Sequence, residues 1–331
     1  MDNQGFFRQI VEKWYSDHQR SLPWRSKSPD PYRVWLSEII LQQTRVAQGL
    51  PYFEKIVNTY PRVEDLAGAS LDSVLALWSG LGYYSRARNL HACAQQVVQQ
   101  HNGKFPESAA ELQKLKGIGP YTSAAIASIC FKEPVAVVDG NVYRVLSRYF
   151  GIDTPINSTE GVKLFQSLAQ SCLEGTPKPG DYNQAIMEFG AMQCTPKKTN
   201  CTTCPLHDRC LAYATQKVQE LPVKLKKLKR TQEHIHYAVH TKDNMIALVQ
   251  RDASSIWPGL YELGRFKKAP NDRTEAAPMV LHKLSHKDLY CHFWSGPAPH
   301  QLEEPLQWYG KNDALQLGLP AVIRDFILAH L

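Results

Sequence analysis

Four cysteines lie close together in the stretch CTPKKTNCTTCPLHDRC, as Cys194, Cys201, Cys204 and Cys210. Four thiolates on one loop can enclose either a tetrahedral zinc ion or a [4Fe–4S] cluster. Structural zinc usually takes two short Cys-x-x-Cys pairs, and only Cys201 and Cys204 form one here, so the spacing favours the cluster. A disulfide set is disfavoured, because the N-terminus is polar and amphipathic and has no signal-peptide core.

The stretch LQKLKGIGPYTSAAI places Gly117 and Gly119 between two helical patterns, with Pro120 at the start of the second. A G-x-G turn exposes backbone N–H groups without Cβ obstruction, and the following helix adds its dipole. Both features suit a DNA phosphate. A tight helix–helix turn would look the same, but Lys114 and Lys116 favour phosphate binding.

Asp139 ends the apolar run PVAVV and precedes the helical pattern GNVYRVLSR. An aspartate before a helix is a common N-cap. The helix dipole and N–H groups at such a position favour the ionised form, so a cap and a catalytic carboxylate are compatible roles.

The hairpin, Asp139 and the C-x6-C-x2-C-x5-C loop together resemble the endonuclease III superfamily of DNA glycosylases. More specific matches resemble its adenine DNA glycosylase (MutY) family. These are LPWR (22–25), SEIILQQT (37–44), GLGYYSRARNLH (80–91), GPYT (119–122), VDGNV (138–142) and NQAIMEFGA (183–191). The resemblance covers about 5–225, and a weaker one continues through 257–266 and 284–286.

The resemblance implies hydrolysis of the N-glycosidic bond of adenine mispaired with 8-oxoguanine or guanine, by a monofunctional glycosylase. Glu38 matches the acid that protonates adenine at N7, and Asp139 matches the carboxylate that stabilises the oxocarbenium ion. Asn141 and Tyr121 match supporting residues of the site. Trp35 and Leu41 flank Glu38 in the sequence, and an apolar setting raises the pKa of a carboxylic acid.

Base chemistry in a duplex requires extrusion of the target nucleotide. The resemblance assigns an adenine pocket to Arg20, Trp24, Arg25 and Gln184. It assigns DNA contacts to Gln43, Thr44, Leu81, Tyr83, Gly117 and Gly119. In the family a Phe-Ser-His loop reaches 8-oxoguanine. Here Leu284-Ser285-His286 stands in its place, so Ser285 and His286 can still hydrogen-bond, whereas the aromatic residue is missing.

The elements that must position these residues differ between the two parts of the chain. From residue 5 to about 220, apolar residues recur at three- and four-residue spacing, which predicts an all-α helix-hairpin-helix domain (1–220, hairpin at about 108–131, cluster loop 194–210). LPVKLKKLKR predicts a basic, solvated linker (221–232). Strand patterns in IHYAVHTKDNMIALVQRD and LYCHFW predict a small α+β domain (233–331), similar to the Nudix fold.

Charge points to a polyanionic partner for the first part only. Residues 1–232 carry a net charge of +8 and residues 233–331 a net charge of −1. An excess of basic residues fits binding to duplex DNA. No run of 18 apolar residues occurs, so we expect no transmembrane helix. We expect a cytoplasmic, monomeric protein of bacterial type that associates with the nucleoid through DNA.

Three other functions compete with this one. A bifunctional glycosylase/AP lyase acting on oxidised pyrimidines forms an imine through a lysine amine, and the resemblance to the superfamily places that lysine where Tyr121 stands here. A Nudix pyrophosphohydrolase would need an R-E-x-x-E-E array, which 267–283 do not contain. A non-catalytic DNA-binding or electron-transfer iron–sulfur protein explains the cysteines, but leaves Glu38 and Asp139 without a role.

Overall fold

The computed structural model describes residues 2–225, 230–252, 254–284, 286–296 and 306–331. The chain divides into two compact units, one made of 1–42 and 96–227 and the other of 43–95 and 228–331. This grouping joins residues 43–95 to the C-terminal part, which no local pattern indicated. The predicted domain bounds at 220 and 233 stay a prediction.

Helices build the first unit. They are α1 (Asn3–His18), α2 (Pro31–Ile40), the end of α6 (Ser85–His101), α7 (Ala109–Leu112), α8 (Pro120–Phe131), α9 (Gly140–Phe150), α10 (Thr159–Leu173), α11 (Pro179–Met192), a 3₁₀ turn (His207–Arg209) and α12 (Leu211–Ala214). Their starts follow the expected signals, because Asp30 caps α2 ahead of Pro31 and Ser158 caps α10. The prediction of a helical first part is confirmed.

The core of this unit lies between α1, α8, α9, α10 and α11. Helix α8 is buried from Thr122 to Ser128, and α11 crosses it closely because Gly180 meets the backbone of Ile129. A Cβ on Gly180 would lie 2.6 Å from the Ile129 Cα, so only glycine permits this approach. Helix α2 packs on α8, and α11 packs on both α8 and α9, so the four helices that carry the candidate site form one packed group.

The second unit combines helices and strands. The helices are α3 (Val46–Thr59), α4 (Val63–Gly68), α5 (Leu71–Leu77), the start of α6, α13 (Lys311–Ala314) and α14 (Ala321–His330). The strands are β1 (Thr231–Val239), β2 (Thr241–Lys242), β3 (Met245–Gln250), β4 (Tyr261–Glu262), β5 (Gly264–Phe266), β6 (Thr274–Lys283), β7 (Lys287–Ser295) and β8 (Gln307–Gly310). The predicted α+β character of the C-terminal part is confirmed.

Two small sheets are present among the described residues. One has the order β5-β1-β7-β6, with β1 and β7 parallel and the outer pairs antiparallel. The other has β2-β3-β4 with β8 on β3. The turn predicted at KDN joins β2 to β3, with Asp243 and Asn244 at positive φ, as tight hairpins require. Strand β6 was missed, because Pro278 and an irregular register break its pattern.

The first residues of the predicted linker, 221–225, are hydrogen-bonded to the first unit, although Lys224 and Leu225 are exposed. Leu221 is buried and its carbonyl accepts from Arg148 Nε at 3.1 Å. The carbonyl of Val223 accepts from Ile156 N, and Leu225 N donates to Asn157 Oδ1. Backbone bonds of this kind fasten 221–225 to the first unit, while 226–229 lie outside the described residues. No helix in the described ranges is long and apolar enough to span a membrane.

Candidate active site

Glu38 and Tyr121 form the centre of the candidate site. Glu38 lies near the end of α2 and Tyr121 in the first turn of α8, 83 residues apart in sequence. The Tyr121 hydroxyl donates to Glu38 Oε2 at 2.7 Å and also lies 3.1 Å from Met187 Sδ. The carboxyl group of the half-buried Glu38 is thereby held at one position, with a thioether beside the tyrosine hydroxyl.

Glu38 is set up to hold a proton near neutral pH. Burial raises its pKa from 4.5 to about 7, against the opposing effect of the Tyr121 hydrogen bond. The charge of Asp139 raises this pKa further and that of Arg25 lowers it, so both groups lie within electrostatic reach. A carboxylic acid with such a pKa can act as a general acid at physiological pH.

Asp139 is the N-cap of α9, as predicted. Its Oδ1 accepts from the backbone N–H groups of Asn141 and Val142 at 2.9 and 2.8 Å, and its Oδ2 accepts from Asn141 Nδ2 at 2.8 Å. Burial raises the pKa of Asp139 above its ordinary value, and these donors limit the rise. Three N–H donors on two oxygens favour the carboxylate over the acid.

Side-chain amides fasten the extended segment 134–138 that leads to Asp139. Gln170 bonds to Ala136 N and Pro134 O, and the fully buried Asn183 bonds to Val137 N and Val135 O. These bonds replace the neighbouring strand that a buried extended segment normally requires. Asn183 was not predicted, because nothing local marks it as the partner of a segment 46 residues away.

Asn141 is held by a second group of contacts. Arg144 Nη2 donates to Asn141 Oδ1 at 2.9 Å and to the carbonyl of Gly190 at 2.6 Å. A Cβ on Gly190 would lie only 2.7 Å from the Cβ of Asn141. Helix α11 can therefore approach the start of α9 only because residue 190 is glycine.

Arg20 and Arg25 both bind Glu188 of α11, a residue that the sequence did not single out. Arg20 contacts the two carboxylate oxygens at 2.7 Å each, and Arg25 contacts them at 3.2 and 2.9 Å. Burial by itself would raise the pKa of Glu188, but the two guanidinium groups outweigh it and lower the pKa to about 2. Arg20 and Arg25 are 168 and 163 residues away from Glu188 in the sequence, so no local pattern could reveal this contact.

The two other predicted pocket residues belong to the same unit. Trp24 is buried and directly precedes Arg25 in the sequence. Gln184 is half-buried on α11, one turn before Met187 and therefore on the same helix face. The structure thus gathers the predicted acid, its tyrosine, Asp139, Asn141 and the arginines within one unit.

The predicted hairpin joins α7 to α8. Gly117 has φ of +78°, and Gly119 is the N-cap of α8 with Pro120 as the first helical residue. Nothing lies within 4 Å of a Cβ built on Gly119, so the backbone there is unobstructed. Buried Ile118 anchors the turn between the two glycines.

The predicted DNA-contacting residues Gln43, Thr44, Leu81 and Tyr83 belong to the second unit. Gln43 and Tyr83 are both exposed and both have positive φ, at 57° and 51°. Left-handed backbone is costly for a bulky aromatic residue and often marks a functional position. Leu81 is 4% exposed and packs in the core, so its side chain is not presented to solvent.

The buried Arg86 contacts both segments that carry the predicted DNA-contacting residues. It lies 5.5 Å from the centroid of the Tyr83 ring and 5.2 Å from that of Trp78. It also donates to Thr44 Oγ1 at 3.3 Å and to the carbonyl of Gly82 at 3.2 Å. One buried cation therefore links the segments that contain Thr44 and Tyr83.

The four clustered cysteines lie on a loop held by two arginines of α9. Arg148 Nη1 lies 3.4 Å from Cys194 Sγ and donates to the carbonyl of Thr195, while Arg144 Nε donates to the carbonyl of Cys194 at 2.7 Å. Burial and the charges of the other three cysteines raise the pKa of Cys204 to about 12. Cys204 thus lies within electrostatic reach of the other three cysteines.

Within the described ranges, no group of three or more His, Cys, Asp or Glu side chains is arranged to hold a metal ion. The donor chemistry nevertheless fits a metal cluster, because four thiols and two guanidinium groups converge on one loop, and cations offset the charge of a thiolate-bound cluster. Of the other four cysteines, Cys93, Cys172 and Cys291 are buried core residues, and Cys130 is half-buried.

The predicted 8-oxoguanine loop is the turn between β6 and β7. Leu284 N donates to the carbonyl of Lys287, and Thr231 N donates to the carbonyl of His286. The His286 side chain is exposed, and Ser285 lies outside the described residues.

Comparison with known proteins finds DNA glycosylases. Residues 36–170 match the HhH-GPD superfamily base excision DNA repair proteins. An adenine DNA glycosylase of Buchnera aphidicola (strain Bp) is 34% identical over 97% of this chain and 95% of its own length. The mouse adenine DNA glycosylase is 44% identical over 64% of this chain, which spans only 42% of that longer protein. A thermostable thymine-DNA glycosylase structure, 28% identical, superimposes with a TM-score of 0.59 over 64% of this chain and 97% of its own.

Proposed function

Because this chain belongs to the adenine DNA glycosylase family, within the HhH-GPD base-excision repair superfamily, we propose that it releases adenine from A:8-oxoguanine and A:G mispairs in duplex DNA. The observation that carries this proposal is the pairing of Glu38, whose pKa is about 7, with the hydrogen-bonded carboxylate of Asp139 in one unit. One acid that keeps its proton and one that is held ionised is the division of labour that N-glycosidic cleavage needs.

Glu38 acts first, as the general acid. Adenine leaves poorly as an anion, so Glu38 donates its proton to N7 as the bond between C1′ and N9 breaks. The bonding electron pair goes to the adenine ring, which departs as neutral adenine. Tyr121 holds the carboxyl group in position for this transfer through its 2.7 Å hydrogen bond.

Asp139 then stabilises the positive charge that develops at C1′, either as an ion pair or as a covalent adduct. Water adds to C1′, and its proton returns to the Glu38 carboxylate, which restores the starting state. Asn141 fixes Asp139 through Nδ2 and is itself fixed by Arg144. The product is an intact strand with an abasic site.

The remaining residues bind DNA and the extruded base. We assign the adenine pocket to Trp24, Gln184 and the Arg20–Arg25 pair, whose orientation is set by Glu188. Gln43, Thr44 and Tyr83 contact the opened base stack, and the Gly117–Gly119 turn binds a phosphate. Ser285 and His286 recognise 8-oxoguanine. On duplexes with adenine opposite 8-oxoguanine, Ser285→Ala should lose more rate than on duplexes with adenine opposite guanine. Equal losses, or none, would argue against this assignment.

The four cysteines would hold a [4Fe–4S] cluster that braces the loop. Arg144 and Arg148 bond to Cys194 of this loop, and both lie on α9, the helix that Asp139 caps. This connection supports a structural role for the cluster. The C-terminal part would be a non-catalytic, Nudix-like recognition domain. In support, 274–283 form a strand and not a Mg²⁺-binding helix. Because its substrate is chromosomal DNA, the protein would act at the nucleoid, in the cytoplasm. We propose separately that it is a monomer.

Strand cleavage tests the proposal against the lyase alternative. The substrate is a duplex with one adenine opposite 8-oxoguanine, incubated with the protein and analysed with and without alkali. We expect cleavage only after alkali, because a tyrosine stands at the position where a lyase lysine would form an imine. Cleavage without alkali, with high-yield borohydride trapping of the protein on DNA, would overturn the monofunctional assignment.

A further inference from the structure

The outer face of the sheet formed by β5, β1, β7 and β6 contains a column of stacked rings. His234 and His236 lie on β1, and Tyr290, His292 and Trp294 lie on the parallel strand β7. His292 stacks between the two β1 histidines, with ring centroids 5.4 Å from His234 and 4.8 Å from His236. None of these residues has a role in the proposed glycosylase chemistry.

Two imidazole nitrogens of this column lie within hydrogen-bonding distance of each other. His234 Nδ1 lies 3.1 Å from His292 Nε2, at an exposed point of the sheet. Two imidazole ligands of one metal ion, each about 2.05 Å from it, lie roughly 2.9 Å apart at right angles and roughly 3.3 Å apart in a tetrahedron. The observed separation falls inside that range.

A carboxylate stands behind one of the two rings. Glu275 Oε1 of β6 lies 3.8 Å from His292 Nδ1, the nitrogen on the far side from His234. A carboxylate at this position favours the tautomer with the proton on Nδ1, which leaves the Nε2 lone pair facing His234. Metal-binding histidines typically have such a partner on their second nitrogen.

His236, the other histidine of β1 in this column, has a different hydrogen-bond partner. His236 Nδ1 accepts from Trp294 Nε1 at 3.2 Å, so its proton resides on Nε2. When the proton of His292 is on Nδ1 and no metal is bound, His234 Nδ1 donates to His292 Nε2. On metal binding that proton can move to His234 Nε2, so both facing lone pairs become available without net proton release.

We propose that His234 and His292 form a surface chelate for a divalent metal ion that prefers imidazole ligands, such as Ni²⁺, Cu²⁺ or Zn²⁺. Water completes the coordination, since only two protein donors face the ion. Imidazole pairs suit these ions better than Mg²⁺ or Ca²⁺, which prefer oxygen. The site is independent of the cysteine loop and of the proposed base excision.

Calorimetric titration of the full-length protein with Ni²⁺ tests this site. His234→Ala and His292→Ala should each remove one Ni²⁺ equivalent relative to the wild type, while the control His330→Ala should retain it. Glu275→Gln should weaken the same site about 10- to 100-fold. Thiol binding elsewhere is common to all variants and cancels in the comparison.

A second measurement needs no variant. Ni²⁺ is paramagnetic, so sub-stoichiometric addition to the wild type should broaden the imidazole NMR signals of His234 and His292 before those of other histidines. A Ni²⁺ isotherm for His234→Ala equal to that of the wild type, or broadening centred on other histidines, would overturn the proposal.

Discussion

Replacing Glu38 by glutamine should make the protein more stable at alkaline pH while it abolishes base release. The pKa of Glu38 is about 7 in the folded protein, against an ordinary value of 4.5 that the unfolded chain should show. The folded state therefore holds this proton more tightly, and the free energy of unfolding falls as the pH rises from 4.5 to 7. That interval corresponds to about 3 kcal/mol. Glutamine remains neutral and can still accept from Tyr121, so the variant avoids this loss.

Urea unfolding of the wild type and Glu38→Gln, measured at pH 5 and pH 8.5, gives the result. The two proteins should have similar midpoints at pH 5, and the variant should be more stable by about 2–3 kcal/mol at pH 8.5. Glu54→Gln, which changes an exposed glutamate of α3, is the matched control and should follow the wild type at both pH values. A Glu38→Gln advantage that is absent at pH 8.5, or equal at both pH values, would refute the reasoning.

Three further predictions concern the neighbours of Glu38 and Asp139. Tyr121→Phe removes a hydrogen bond to the Glu38 carboxylate that is worth about 1.5–3 kcal/mol, so the pKa of Glu38 should rise. The alkaline limb of the pH–rate profile should therefore move up by about 1–2 pH units in single-turnover assays. The control Tyr149→Phe, which loses a hydroxyl bonded to Asn3, should leave this limb unchanged. Gly190→Ala should slow adenine release about 10²-fold with lesion binding kept, because the new Cβ displaces Asn141; an unchanged rate would show that the contact is not needed. Glu188→Ala should lower the free energy of unfolding by about 3 kcal/mol, since it leaves Arg20 and Arg25 without their carboxylate, and a loss below about 1 kcal/mol would contradict that role.

The sequence predicted those features that depend on short, local motifs. The N-cap role of Asp139, the glycine turn at 117–119 and the helical first part all follow from local signals that the structure confirms. The placement of Glu38 beside Tyr121 required the family resemblance, because an apolar helix gives no indication of which partner a glutamate meets.

The rest depends on contacts between distant residues. The bond of Glu188 to Arg20 spans 168 residues, and Asn183 satisfies a segment 46 residues earlier, so neither leaves a local trace. The grouping of 43–95 with the C-terminal part and the fastening of 221–225 to the first unit are likewise products of packing. A basic, proline-containing segment gives no sign in its sequence of the partners that its backbone groups find.

Single-turnover adenine release by Asp139→Asn tests the central claim most directly. Asparagine keeps the size of the cap but not its charge, so C1′ loses its stabilising carboxylate. The account predicts that release from A:8-oxoguanine duplexes slows by at least about 10²-fold, while the dissociation constant for the same duplex changes little. A full rate of release by this variant would contradict the account.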